Sequence, residues 1–256
     1  LNFISANCLG AAIGAIIGGF LADRYGRKFI FTYNLLLYMA GVLTIMCSVD
    51  FPMLLIGFLL TGISVGVGVP ASWTYISESS EVNTRGRNIA ISQMSWGIGP
   101  MCILMLGMIF APRHPGEEDG LLFSGVRSLA EYFHGANAPI EAVQVFSSRI
   151  VFFSLFVVAF IAWNLQRKLQ ESAEFEAQKT TGKQTGLIEN IKLLFTSRVA
   201  VRTVCFLAVI YLSWNLVASV MGFFQPHIYE SAGGMSNKDA NMLSCVSWAV
   251  VVLTTY

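Results

Sequence analysis

The stretch Gly19-Phe20-Leu21-Ala22-Asp23-Arg24-Tyr25-Gly26-Arg27-Lys28 decides the fold. It closes one charge-free run, 1–22, and opens onto another, 29–49. Residues 23–28 read as a six-residue turn between two apolar segments. Gly26 permits a tight reversal because it has no Cβ. Asp23 falls at a helix end, where a charge beside lipid needs a partner. Arg24, Arg27 and Lys28 stay with water, all on one side.

Seven runs in all lack Asp, Glu, Lys and Arg: 1–22, 29–49, 51–77, 88–112, 150–166, 203–229 and 240–256. A spanning helix needs about 20 mostly apolar residues, with a range of about 17–25. The run 150–166 sits at the short limit. A bilayer offers the backbone no hydrogen-bond partners, so the spans are expected to be helical. The alternating strands of about ten residues that a barrel requires are absent. The expected fold is an all-α membrane protein with about seven transmembrane helices. Composition agrees: 55% of residues are hydrophobic and 12% charged, against about 25% charged in a soluble domain.

Twelve of the sixteen Lys and Arg residues fall in one alternating set of connections, 23–28, 78–87 and 167–202. The positive-inside rule places that set in the cytoplasm. Leu1 then starts outside. The chain has no basic leader, so no signal peptide is expected. Both ends read as cuts through a longer protein, with the spans here as numbers two to eight. The outside connection 111–149 carries Pro112, Pro115, Gly116 and Pro139, and is expected to hold a short helix around Leu121–Phe133. The connection 167–202 passes a flexible stretch, Thr180–Gly186. It then repeats apolar residues at Leu187, Ile188, Ile191, Leu194 and Phe195, the spacing of a surface-lying amphipathic helix. The expected organisation is an N-terminal bundle over 1–166 lacking its first helix, a connection over 167–202, and the start of a second bundle over 203–256. Gly10, Gly14 and Gly18, and Gly62, Gly66 and Pro70, recur every four residues. Such stripes let helices pack closely, and together they suggest helices that rock against each other.

A net charge of +1 gives no reason to expect nucleic acid. Cys8, Cys47, Cys102, Cys205 and Cys245 lie in apolar runs with no CxxC pair, and read as small hydrophobic fillers. His114, His134 and His227 are isolated, and no catalytic triad is present. No enzyme activity, cofactor or metal is implied.

The opening stretch resembles the G-x-x-x-D-R-x-G-R-R/K signature that follows the second helix of the major facilitator superfamily. Tyr75-Ile76-Ser77-Glu78, then Arg85-Gly86-Arg87, is similar to a sugar-porter pattern that ends the fourth helix and opens the fifth. Arg149-Ile150-Val151-Phe152 and Gln170-Glu171-Ser172-Ala173-Glu174-Phe175 resemble looser elements of sugar porters and metabolite:proton symporters. The resemblance covers essentially the whole chain. It implies a cytoplasmic gating network of Gly19, Asp23, Arg24, Gly26, Arg27, Lys28, Glu78, Arg85 and Glu171, in which ion pairs latch two halves and release them. It also implies a substrate glutamine at Gln93, eight residues after Arg85, with Trp96 a stacking surface. Trp214, Asn215 and Ser219 are the corresponding candidates in the seventh span. Here the sequence departs from the sugar-porter pattern: Ser213 and Trp214 stand where two glutamines are usual, Ser219 stands in place of an Asn, and Phe58 in place of an Arg.

No Asp, Glu, Lys or Arg lies within a span. An anionic solute needs a buried cation on its path, whereas a neutral polyhydroxyl solute needs only amides, hydroxyls and aromatic faces. The resemblance implies transport by alternating access coupled to protons, and the uncharged spans point to a sugar, polyol or related metabolite as the expected solute. The expected partners are the lipid bilayer, a small solute and protons, and the expected location a bacterial inner membrane. Alternatives are an organic acid transporter, a transporter-like sensor, or a non-transporting remnant.

Overall fold

A computed structural model describes residues 2–110, 120–135, 139–172, 175–176 and 195–255. They form α1 (Asn2–Tyr25), α2 (Arg27–Met46), α3 (Phe51–Ser79), α4 (Arg85–Phe110), α5 (Phe123–His134), α6 (Ile140–Gln166), α7 (Arg198–Ser231) and α8 (Asn237–Thr254). No strand occurs among the described residues. Among the described residues six helices (α1 to α4, α6 and α7) are long and apolar enough to cross a membrane. The seventh run forms α8, whose first turn carries Lys238 and Asp239; Ser236 caps it, accepting the Asp239 N–H at 3.2 Å. A capping side chain and an acidic first turn both satisfy the exposed N–H groups of a helix start.

The turn at 23–28 is shorter than its composition suggests. α1 runs through Asp23 and Arg24 to Tyr25, α2 starts at Arg27, and Gly26 alone links them. Its φ of 95° is a left-handed conformation that a Cβ disfavours. The expected short outer helix is present as α5. The amphipathic segment at 187–195 falls almost wholly outside the described residues.

α3 is the hub, packed between α1 and α2. Lipid tails are as apolar as leucine, so helices in a bilayer associate through close approach and hydrogen bonds. The glycine stripes provide the approach. A methyl on Gly10 would collide with the Leu59 carbonyl, one on Gly14 with that of Ile63, and those on Gly62 and Gly66 with Asn7 and Ala11. Polar contacts lock the stack: Asn7 Nδ2 donates to Thr61 Oγ1 at 3.2 Å, and Ser64 Oγ to the Asn34 carbonyl at 2.9 Å. α6 joins α2 at both ends. Trp163 Nε1 donates to the Thr32 carbonyl at 2.9 Å, and Arg149 Nη2 to the Ser48 carbonyl at 3.4 Å. α8 lies along α4 and α7, with Gly97 facing Val252.

Candidate functional site

Two places hold the residues singled out from the sequence. The first is a cleft of about 440 Å³ between α2, α3 and α4, reached also by Gln166 of α6. Gln93 and Trp96 both line it, one turn apart on α4. Their partners across the cleft are Asn34 and Tyr38 of α2 and Ser64, Ser72 and Trp73 of α3. Among the described residues no Asp, Glu, Lys or Arg lines it. The Oδ1 of Asn34 is buried and has no hydrogen-bond partner among the described residues. An unsatisfied buried carbonyl costs about 1–3 kcal/mol, so this amide is poised for a donor.

On its other side, Trp96 meets the second half of the chain. Its ring centroid lies 6.4 Å from that of Trp214 on α7 and 6.1 Å from that of Trp248 on α8. Tyr211 stacks on Trp214 at 6.2 Å. These separations fall in the range of favourable aromatic pairs. Of the α7 candidates, Trp214 therefore joins Trp96. Asn215 instead turns its amide back to the Tyr211 carbonyl, at 2.8 Å, within its own helix. The Ser219 side chain lies outside the described residues. Asn34, Tyr38 and Trp248 escaped the sequence reading. Asn34 had left one signal, a lone amide amid the apolar run 29–49.

The second place is the end of the bundle where α1 meets α2. Arg27 is its centre and is 5% exposed. Its Nη2 lies 2.7 Å from Glu78 Oε1 and 3.8 Å from Asp23 Oδ1. Its Nη1 donates to the Ala22 carbonyl at 3.3 Å, and its guanidinium sits 5.4 Å from the Phe175 ring centroid. Glu171 joins by a different route from the expected ion pair. Its two oxygens accept the backbone N–H groups of Arg27 at 2.9 Å and Lys28 at 3.1 Å. The carboxylate thus caps the α2 N-terminus from a distant segment, where the helix dipole favours negative charge. Tyr75 adds a second tie, its hydroxyl donating to the Gln170 carbonyl at 3.1 Å. Arg24 and Arg85 do not enter this knot. Both are exposed, with no ion pair among the described residues, and Arg24 lies over the Phe20 and Tyr25 rings. Gly19 has open space around it, and Lys28 contributes its backbone.

A bundle of apolar helices, an uncharged cleft and an ion-pair knot at one end define a multi-pass integral membrane protein. The profile of the Major Facilitator Superfamily matches residues 3–255, and the chain belongs to that family. It is 34% identical over 253 residues to the minor myo-inositol transporter IolF of Bacillus subtilis, covering 95% of this chain and 50% of that protein. It is 32% identical over 96 residues to the arabinose-proton symporter of Escherichia coli, covering 38% of this chain and 20% of that protein. Among solved structures, a D-xylose-proton symporter superposes with a TM-score of 0.65 at 16% identity, covering 98% of this chain and 55% of that one. The latter likeness speaks for the fold alone. The chain spans half the length, or less, of these curated relatives.

Proposed function

We propose that this chain is part of a secondary transporter that carries a small neutral polyhydroxyl solute, a sugar or cyclic polyol, by alternating access coupled to protons. One observation carries the reading: Gln93 and Trp96 open onto a single cleft that sets amide, hydroxyl and aromatic groups among aliphatic ones, with no charged residue among its described lining. An amide pairs with vicinal hydroxyls, and an indole face stacks on the C–H face of a sugar ring. The relative that matches nearly the whole chain carries an inositol by name, which supports the polyol class. In this reading Gln93, Trp96 and Trp214 contact the solute, with Asn215 and Ser219 further along α7. Residues 1–166 form most of one half and 203–256 the start of the other, rocking about a midplane site. The knot of Asp23, Arg27, Glu78 and Glu171 latches the cytoplasmic end, with Arg24 and Arg85 free to pair in another state. The membrane is a bacterial inner membrane.

Shorter matches favour a second class. A niacin transporter of Acinetobacter baylyi is 30% identical over 129 residues, and a 3-(3-hydroxy-phenyl)propionate transporter of Escherichia coli 35% over 103. Uptake of labelled polyols, sugars and aromatic acids by the full-length protein in vesicles, with and without a proton gradient, separates the two. Gradient-driven polyol uptake is expected, weakened roughly 2- to 12-fold in Gln93→Ala by the loss of one hydrogen bond worth about 0.5–1.5 kcal/mol. Uptake of an acid that ignores Gln93 would overturn the polyol reading.

A further inference from the structure

α5 has an apolar side that the described residues only half cover. At 100° per residue, Val126, Ala130 and Phe123 occupy one half of that side. They are buried against Val143, with Phe110, Phe146 and Ile150 around them. Leu129, Tyr132 and Phe133 occupy the other half and are 49%, 83% and 66% exposed. The opposite side carries Ser124, Ser128 and the pair Arg127–Glu131, whose Nε and Oε1 lie 2.9 Å apart. The polar side is therefore complete, and the apolar side continues past its protein contacts.

We propose that the free half of this apolar side is immersed in the acyl chains of the membrane leaflet opposite the Arg27 knot, making α5 an interfacial anchor. Three observations select lipid as the occupant. The patch is continuous with the spanning surface: Phe133 stacks 5.8 Å from Phe146 of α6, and Tyr132 lies 5.4 Å from Phe133. α5 is also tied to the end of a span: the Leu122 N–H, just before α5, donates to the Ile109 carbonyl of α4 at 3.1 Å, and α4 is tied in turn to α6 by Ser147 Oγ donating to the Phe110 carbonyl at 2.8 Å. Gly120 fits here because a methyl would collide with the Ile109 carbonyl. Finally, the composition is that of an interfacial helix, with aromatic and aliphatic residues on one side and charges on the other. The anchor ties the outer ends of α4 and α6 together at the bilayer surface, independently of which solute is carried.

The test uses the full-length wild-type protein in lipid nanodiscs, with hydroxyl-radical footprinting read by mass spectrometry. Tyr132 and Phe133 are exposed on the protein itself, so any cover over them reads as protection, and the lipid-tail label tells lipid from protein. Expected is protection of both, together with labelling of the same peptide by a diazirine carried on a lipid tail. A second readout places a nitroxide at single cysteines replacing Leu129, Tyr132, Ser124 and Ser128 in a background lacking the five native cysteines. The first two are expected to collide with oxygen, the latter two with a water-soluble nickel chelate. Open-water oxidation of Tyr132, or nickel access at Leu129 and Tyr132, would overturn the proposal. So would protection without lipid-tail labelling, which would indicate a second copy or another protein on the patch.

Discussion

The Arg27–Glu78 pair invites a quantitative test of how much this knot holds. Their side chains are 6% and 10% exposed, and the contact is 2.7 Å. Removing one partner of such a pair strands a buried charge, at about 3–5 kcal/mol. Asp23 does little to rescue Arg27. It lies at 3.8 Å with its carboxylate 63% exposed, so water screens it into the range of about 0–1 kcal/mol for surface pairs. Glu78→Ala is therefore expected to lose at least about 3 kcal/mol. Arg27→Ala should lose somewhat more, because it also gives up the Phe175 contact and the bond to the Ala22 carbonyl. The double variant leaves no unpaired charge, so its cost should fall short of the sum by about 2–3 kcal/mol. Equilibrium unfolding of the four proteins in mixed micelles measures this coupling directly. A coupling below about 0.5 kcal/mol would mean that water reaches the pair, and the burial reasoning would fail.

Glu171→Gln keeps an acceptor at the α2 N-terminus and removes its charge, so a loss of about 0.5–2 kcal/mol is expected. Hydrogen exchange at the Arg27 and Lys28 amides should quicken, and unchanged exchange would argue against the cap. Gly26→Ala meets both a left-handed φ and the Glu171 carboxylate; a cost of about 1–3 kcal/mol should appear as a lower melting temperature. Gly14→Val drives side-chain atoms into the Ile63 backbone, while Gly99→Ala enters open space. The first should cost at least about 1–3 kcal/mol and reduce the monodisperse fraction on size exclusion, and the second should leave that fraction unchanged.

What the sequence determined by itself was the environment and the family. Charge-free runs of spanning length leave a chain in lipid only the helical solution. The stretch from Gly19 to Lys28 marked both a membrane boundary and the superfamily, and the every-fourth-residue glycines foretold a close helix pair. These features are legible because they are local: hydropathy, spacing and a missing Cβ act on the chain before it folds. Tertiary structure decided which of these residues meet. Arg24 and Arg27 read alike in sequence, yet only Arg27 is buried among carboxylates, because the one-residue link at Gly26 turns it beneath Glu171. Glu171 lies 144 positions from the backbone it caps, and no spacing rule reaches that far. Trp96, Trp214 and Trp248 form one cluster only because α8 packs along α4. Asn34 borders the cleft of Gln93 because Gly68 and Ser64 let α2 settle against α3. Long-range partners depend on how helices dock, and docking is set by the summed fit of whole faces rather than by any one motif.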